Sequence, residues 1–543
     1  MRPLHPNGLL VLAALVGLVA CGDDEPVAGK APGADRTTLV VAVPSDVSGV
    51  NELLSSSQLD HEIRSQLFLH LVREQPDYQE HPPTFAPELA RSWTFSDDRR
   101  TLTFELRDDV LWSDGAPVTA HDVRFSWQAQ TSPEVGWAYG YVKEKISDVE
   151  VLGEHRVRFH FTEVYPTQLP DANEGFVLPR HAWSELPFAE WRENADWFRE
   201  HLVVNGPFTL GSWRPQQEVA LLPNPLYHRE GLPRSDMVLF RVVPEEANRM
   251  GQLLAGEIHA MVGVPPARAR DVEESPATRL VSVDSRQYTY IVWNTLHPLF
   301  QEAAIRRALT LAIDRQALVD ALWHGHARVG VGPFTSRVWA HDPSLEPWPF
   351  EPERARQIFA EHGWQDTDGD GVLDRDGEPF AFELSTNTGN QLRRDTLVLV
   401  QSQLERVGVQ AEPVFLEPQT LFARNEAHDF DATLGAWAID TSLDVRYAFH
   451  SDEIDGGYNY GSFSDRDADR LMDEIAATVP PEAALDRYHR LERILHEQQP
   501  YTFLWEPDGL IGLASAVREA DPNALLSFYD LEEWSLEEAP AVP

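Results

Sequence analysis

Residues 87–127 read PELARSWTFSDDRRTLTFELRDDVLWSDGAPVTAHDVRFSW. Within this stretch Leu102, Phe104 and Leu106 alternate with Thr103 and Glu105. That is the period-two pattern of a half-exposed strand. Thr119 and Asp122 are spaced as a capping box, so a helix is expected to open there.

Working outward, TLVVAV at Thr38–Val43 is short and β-branched, the mark of a buried strand. Leu59, Ile63, Leu67 and Leu71 recur at steps of four and predict one amphipathic helix. RVRFHF, with Val157, Phe159 and Phe161 inward, predicts a second half-exposed strand. A helix is expected from Glu245 to a stop at Gly256, followed by a strand. Ile305, Leu309 and Ile313 mark one helical face, which resumes after Asp314 with Leu318 and Leu322. FAFELSTNTGNQLRRDTLVLVQSQLERVGVQAEPVFL reads as strand, helix, a stop at Gly408, and strand, a βαβ unit. Strands and helices alternate throughout, so the expected class is α/β with mixed sheets.

The chain has 543 residues, enough for two or more domains, and 42% hydrophobic residues supply large cores. A formal net charge of -42 repels phosphate backbones and argues against nucleic-acid binding. It favours cationic or zwitterionic partners. With one cysteine, Cys21, neither an intramolecular disulfide nor a thiolate metal site is available.

Cys21 follows Arg2 and an apolar run from Leu9 to Ala20 that is short for a membrane span and has the shape of a secretory leader. LVACG at residues 18–22 resembles a bacterial lipobox, which implies a signal peptide over 1–20 and a lipidated Cys21. Several acyl chains would anchor firmly at ~0.8 kcal/mol per buried CH2. Residues 21–37 then read as a flexible polar tether.

The opening stretch resembles a phrase of the family-5 extracellular solute-binding proteins, the peptide-type binding proteins of ABC transporters: LAxSW, a strand, LRxxVxWxDGxPVTAxDV and an aromatic. NGPFTL at Asn205, NPLYHREGLP at Asn224, AGEIHA at Ala255, YIVWN at Tyr290, IRRALTLAIDRQALV at Ile305 and NYGSFSDRDADRLM at Asn459 follow in the family's order. His259 departs from the usual Asp. The resemblance covers Thr38 to Pro507. It implies a two-lobed periplasmic-binding-protein clamp of type II, in the large peptide-binder variant with an extra subdomain. The first lobe is expected over 38–287 with an inserted subdomain at about 66–200, the second over 288–500, and a return to the first over 501–535. Hinge closure on a solute, then docking on an ABC permease, is the implied mechanism. A monomer is expected.

In the family an Asp three residues after a Trp receives a peptide's ammonium. LGAWAIDTSLD supplies Trp437 as a pocket wall and Asp440 as the anchor. Peptide binders of the family often continue xxDP, whereas Asp444 here is one place late and precedes Val445. Arg393 and Arg394 are candidates for a ligand carboxylate, since guanidinium pairs with it bidentately. Trp293 and Asn459 complete the candidate ligand contacts.

In DTDGDGVLDRDG, Asp366, Asp368 and Asp370 take positions 1, 3 and 5 of a calcium loop, Gly371 the turn, Val372 a carbonyl position and Asp374 position 9. Position 12 is Gly377 rather than the bidentate Glu of an EF-hand. A structural Ca2+ stapling one loop is the expectation; no cofactor is required. A sensor is not expected, because one loop without paired helices has nothing to open.

No GxSxG, HExxH or Walker loop occurs, and the His324–His326 pair reads as a surface turn, so no catalysis is expected. The alternatives are the same clamp holding an oligosaccharide or a metal chelate and, further off, a hydrolase or a surface adhesin.

Overall fold

The computed structural model describes residues 37–55 and 57–537; the expected leader, Cys21 and all but the last residue of the tether lie outside the described residues. Strand Thr38–Val43 runs parallel to both Met237–Val242 and Ala260–Val262. A strand flanked on both edges and covered on both faces has no polar side, so its apolar run is unbroken. Glu218–Pro223 and Phe208–Arg214 extend the sheet antiparallel beyond Met237–Val242.

The opening stretch builds a separate four-stranded antiparallel sheet, in the order Ala90–Phe95, Thr101–Leu106, Arg156–Phe161 and Ile146–Gly153. Leu102, Phe104 and Leu106 are fully buried, as their alternation requires. The capping box is present: the Thr119 N–H donates to Asp122 Oδ2 at 2.8 Å, and helix Ala120–Gln130 follows. Asp122 Oδ1 also accepts the Arg180 N–H at 2.9 Å, tying the cap to the next segment.

One expectation fails. The step-of-four leucines do not share one helix, which covers only Gln58–Arg64. Beyond it the backbone finds other partners. The Leu69 N–H donates to Asn205 Oδ1 at 2.9 Å, and the Leu71 carbonyl accepts the Ala90 N–H at 2.7 Å. Leu67 and Leu71 are buried, but on a turn and at a strand edge. Long-range partners override a local helical pattern here.

In the second half, Ala381–Asn387 and Gln410–Leu416 pair in parallel around helix Gln391–Glu405, the expected βαβ unit. Gly408, at φ +80°, ends that helix, and a Cβ there would stand 2.9 Å from Leu373 Cγ. Asp314 caps helix Arg315–Trp323 by accepting the Ala317 N–H at 2.9 Å, which separates it from helix Ala303–Ala312.

Two of the four hydrophobic clusters among the described residues mark the two halves. Leu39, Phe104, Trp112, Phe240 and Trp534 belong to one; Ile291, Trp293, Leu384 and Trp505 belong to the other. Strand Tyr501–Ala514 joins them. Its first part pairs with Gln287–Trp293 and Ala327–Val329, its second with Ala260–Val262 and Thr278–Asp284. Arg337, 4% exposed, pins this passage. Its guanidinium donates to the Pro507 carbonyl at 3.0 Å, pairs with Asp508, and lies 3.1 Å from Asp284 Oδ1. This is the two-lobed clamp, joined by a pair of neighbouring strands.

Candidate functional site

Strand Ala432–Ala438 lies antiparallel to Gln287–Trp293, with Tyr290 opposite Gly435 and Tyr288 opposite Trp437. Side chains alternate across a strand, so these residues share one face. Trp437 stacks on Tyr290 at 6.2 Å between ring centroids and an interplanar angle of 17°, and meets Tyr447 edge-on at 5.1 Å. Tyr290 in turn stacks on Tyr501 at 4.3 Å. Gly435 is required: a Cβ would stand 2.7 Å from the Tyr290 hydroxyl.

This aromatic face is short of hydrogen bonds. The hydroxyls of Tyr288, Tyr447 and Tyr501 are buried without a partner. Trp437 Nε1 lies near the Tyr501 hydroxyl without a well-directed hydrogen bond. Buried polar groups are otherwise almost always paired, so such a group suits a site that a ligand or ordered water completes.

Asp440 stands just past the strand end, exposed. Its Oδ1 accepts the Ser442 N–H at 3.0 Å and the Ser442 hydroxyl. No cation pairs with it among the described residues. Burial, with the Asp440 charge as the next cause, pushes the Tyr141 phenol up to about 12 and the Tyr447 phenol higher. Tyr141 belongs to the first half and remains largely exposed, so the Asp440 charge reaches it from the second half. Tyr141 also borders a cavity of about 470 Å³ lined by Trp127, Gln130 and Trp137. The late Asp444 has a local cause. Leu443 takes the left-handed conformation at φ 56°, absorbing the extra residue. Asp444 is exposed and accepts the Arg446 N–H at 2.9 Å; partial desolvation, with the Asp440 charge adding, raises its pKa.

Of the two arginines, only Arg393 turns to the aromatic face. It donates to Asn387 Oδ1 at 2.5 Å, and burial lowers its pKa while the nearby Tyr290 raises it. It has no carboxylate partner among the described residues. Arg394 folds back on Gln391 of its own helix at 2.8 Å, on the exposed side. Two other candidates are structural. Trp293 is fully buried and donates to the Thr502 hydroxyl at 3.1 Å. Asn459 is 1% exposed, and its amide bridges the His450 and Phe463 carbonyls and the Phe463 N–H, which leaves it nothing to offer a ligand. Both are corrected to core and loop-holding roles.

The acidic loop lies elsewhere. Carboxylate oxygens of Asp366, Asp368 and Asp374 come within 4.8 Å of one another; Asp370 stands apart from this group and accepts the Val372 N–H at 2.8 Å. Asp366 accepts the Gly369 and Gly371 N–H groups at 2.7 and 3.1 Å. The tyrosines were not legible in the sequence, because aromatic residues are common in this chain and only strand register and packing bring these together.

Similarity to known proteins follows the same outline. Oligopeptide-binding protein AppA of Bacillus subtilis is 29% identical over 506 residues, covering 92% of this chain and 91% of the relative. Its structure in complex with a nonapeptide superposes with a TM-score of 0.76 at 28% identity, covering 92% of this chain and 99% of that one. The probable D,D-dipeptide-binding protein DdpA of Escherichia coli is 23% identical, covering 90% of this chain and 92% of the relative. NikZ from Campylobacter jejuni, in complex with Ni(L-His), shares the fold at a TM-score of 0.77 and 22% identity, covering 92% of this chain and 100% of that one. The model for bacterial extracellular solute-binding proteins, family 5 Middle, matches residues 84–455, and the chain belongs to that family.

Proposed function

We propose that this protein is the ligand-capturing component of an ABC importer, and that it closes its two lobes on short peptides and hands them to a membrane permease without covalent chemistry. One observation carries the reading. Among the described residues, a carboxylate without an ion pair, Asp440, and a guanidinium without one, Arg393, border an aromatic face on which the Tyr288, Tyr447 and Tyr501 hydroxyls lack partners. A zwitterionic chain supplies the complement: an ammonium for Asp440, a carboxylate for Arg393, and an amide for the Tyr447 hydroxyl. Enclosed charges must meet opposite charges or dipoles, which makes this pairing the basis of selection. The likeness to an oligopeptide-binding protein supports the same ligand class. A lipid on Cys21 would hold the clamp at the membrane outside the cytoplasm.

The test is mass spectrometry of small molecules released on denaturing the soluble protein made without residues 1–21. A ladder of short peptides is expected. A sugar or a metal chelate in their place would keep the clamp and overturn the peptide reading.

A further inference from the structure

Besides Asp440, the same end of the cleft holds two more carboxylates, and hydrogen bonds place the segments that carry them. The Val72 N–H donates to Asn173 Oδ1 at 2.9 Å, which sets strand Val72–Glu74 against the segment carrying Glu174. The Glu174 carbonyl accepts Lys143 Nζ at 2.7 Å and Gln130 Nε2 at 3.3 Å. Lys143 ends the one-turn helix that carries Tyr141, so Glu74, Glu174 and Tyr141 share one wall of the first lobe. From the second lobe, Thr441 and its neighbour Asp440 both act on the Glu74 carboxylate, without a well-formed hydrogen bond between Thr441 and Glu74.

None of Glu74, Glu174 and Asp440 has an ion pair among the described residues. Glu74 is the most exacting of the three, since its Oε1 is buried with no hydrogen-bond partner. Burial raises its pKa; Glu174 and Asp440 add to the rise, while Thr441 and Arg286 oppose it. Arg286 is itself engaged by the Ala524 carbonyl at 3.2 Å and the Tyr78 ring at 5.3 Å. A buried carboxylate oxygen without a donor is costly to leave so. One α-ammonium answers one of these carboxylates; the others face only Arg286 and Lys143, neither of which forms an ion pair with them among the described residues.

We propose that this end of the cleft is built for a second positive charge, so that the favoured ligand is a peptide with lysine or arginine at its first position, its side-chain cation received by Glu74 and Glu174. This rests on the reading that Asp440 takes the α-ammonium, and it names the side-chain class that reading leaves open. The chain's net charge of -42 assists by drawing cationic ligands toward the protein.

The experiment is calorimetric titration at fixed ionic strength with Lys-Ala-Ala and with norleucine-Ala-Ala, which has a similar shape without the charge. Wild type is expected to bind the lysine peptide about tenfold or more tightly, and Glu74→Gln to bring the two affinities within about twofold of each other. Glu174→Gln, at an exposed position, is expected to shrink the preference in part and serves should the first variant fail to fold. Equal binding of the two peptides by wild type, or a preference that survives both substitutions, would overturn the proposal. Asp440→Asn separates the readings. If it weakens both peptides while the preference persists, the amine anchor stands and Glu74 acts on the side chain. If it weakens neither, the anchor reading fails, and the Glu74 comparison is read on its own.

Discussion

Ser442 holds Asp440: its N–H donates to Oδ1 at 3.0 Å and its hydroxyl closes on the same oxygen. Oδ2 is left without a protein donor. The carboxylate is therefore oriented before any ligand arrives, which removes part of the ordering cost of binding. Asp440→Asn is expected to cost ~2–5 kcal/mol in tripeptide affinity, the range for losing one partner of an enclosed charge pair. Ser442→Ala should cost less, since it frees the carboxylate without discharging it. Calorimetric titration measures both, and an Asn variant that binds as tightly as wild type would remove Asp440 from the site.

Arg393 should discriminate the ligand's other end. Amidating a tripeptide's carboxylate removes the acceptor, and Arg393→Gln removes the donor charge. Each alone is expected to cost about 1.5–3 kcal/mol, the worth of hydrogen bonds to a charged group. The two together should cost little more than either. Additive losses in this double-mutant cycle would place the carboxylate elsewhere.

Arg337 bonds both strands that pass between the lobes, and it is almost wholly buried. Arg337→Met removes the charge and leaves Asp508 largely buried and unpaired. Breaking such a pair costs roughly 3–5 kcal/mol. Denaturant melts should therefore show a clear loss of stability, and ligand-driven closure, followed by tryptophan fluorescence, should become less cooperative. An unchanged midpoint would leave Arg337 without a role in the passage.

Asp171 gives a pH dependence. Burial, resisted by the charge of Lys143, lifts its pKa from the ordinary 3.8 to about 7. The folded form therefore prefers the protonated acid. Its contribution to stability is present below the unfolded value and is lost as pH rises toward 7. Asp171→Asn keeps a hydrogen-bonding side chain of the same shape beside Thr167. It should flatten the fall in melting temperature between about pH 4 and pH 7, a window taken from that shift. A slope unchanged by the substitution would assign the pH dependence to other groups.

The converging oxygens of Asp366, Asp368 and Asp374 are proposed to hold calcium as a loop staple. Calcium at about a hundred times its dissociation constant should stabilise the fold by ~2.7 kcal/mol, and Asp368→Asn should remove the gain. Magnesium, which demands tighter octahedral geometry, should do less. A melting temperature indifferent to calcium would leave an Asx-rich turn held by its own backbone.

Much of the fold was legible because its signals are local. The capping box of Thr119 and Asp122, the alternation of Leu102 to Leu106 and the Gly408 stop each depend on neighbours in sequence, and each is present. The leucine spacing after Gln58 misled, because Asn205 and Ala90 supply partners that no local pattern shows. In the site, Trp437 and Asp440 were legible through one phrase of the sequence. Glu74, Tyr288, Tyr447 and Tyr501 were not, since strand register and the packing of the second lobe bring them together across hundreds of residues. Trp293 and Asn459 carried the same phrase-level signal as Trp437, yet the sheet turns one into the core and a loop consumes the other.

The strand Tyr501–Ala514 has a consequence for the order in which the molecule is assembled. Thr278–Asp284 pairs with no other strand among the described residues, and Trp534 seals the first core. The N-terminal half thus lacks structural parts until nearly the whole polypeptide exists. Chains commonly fold domain by domain as they emerge from the ribosome. Here the first lobe must wait for residues made after the second, and pairings this distant are slow to form. The sheet of the first lobe is thereby expected to close only after residues 510–514 have been made.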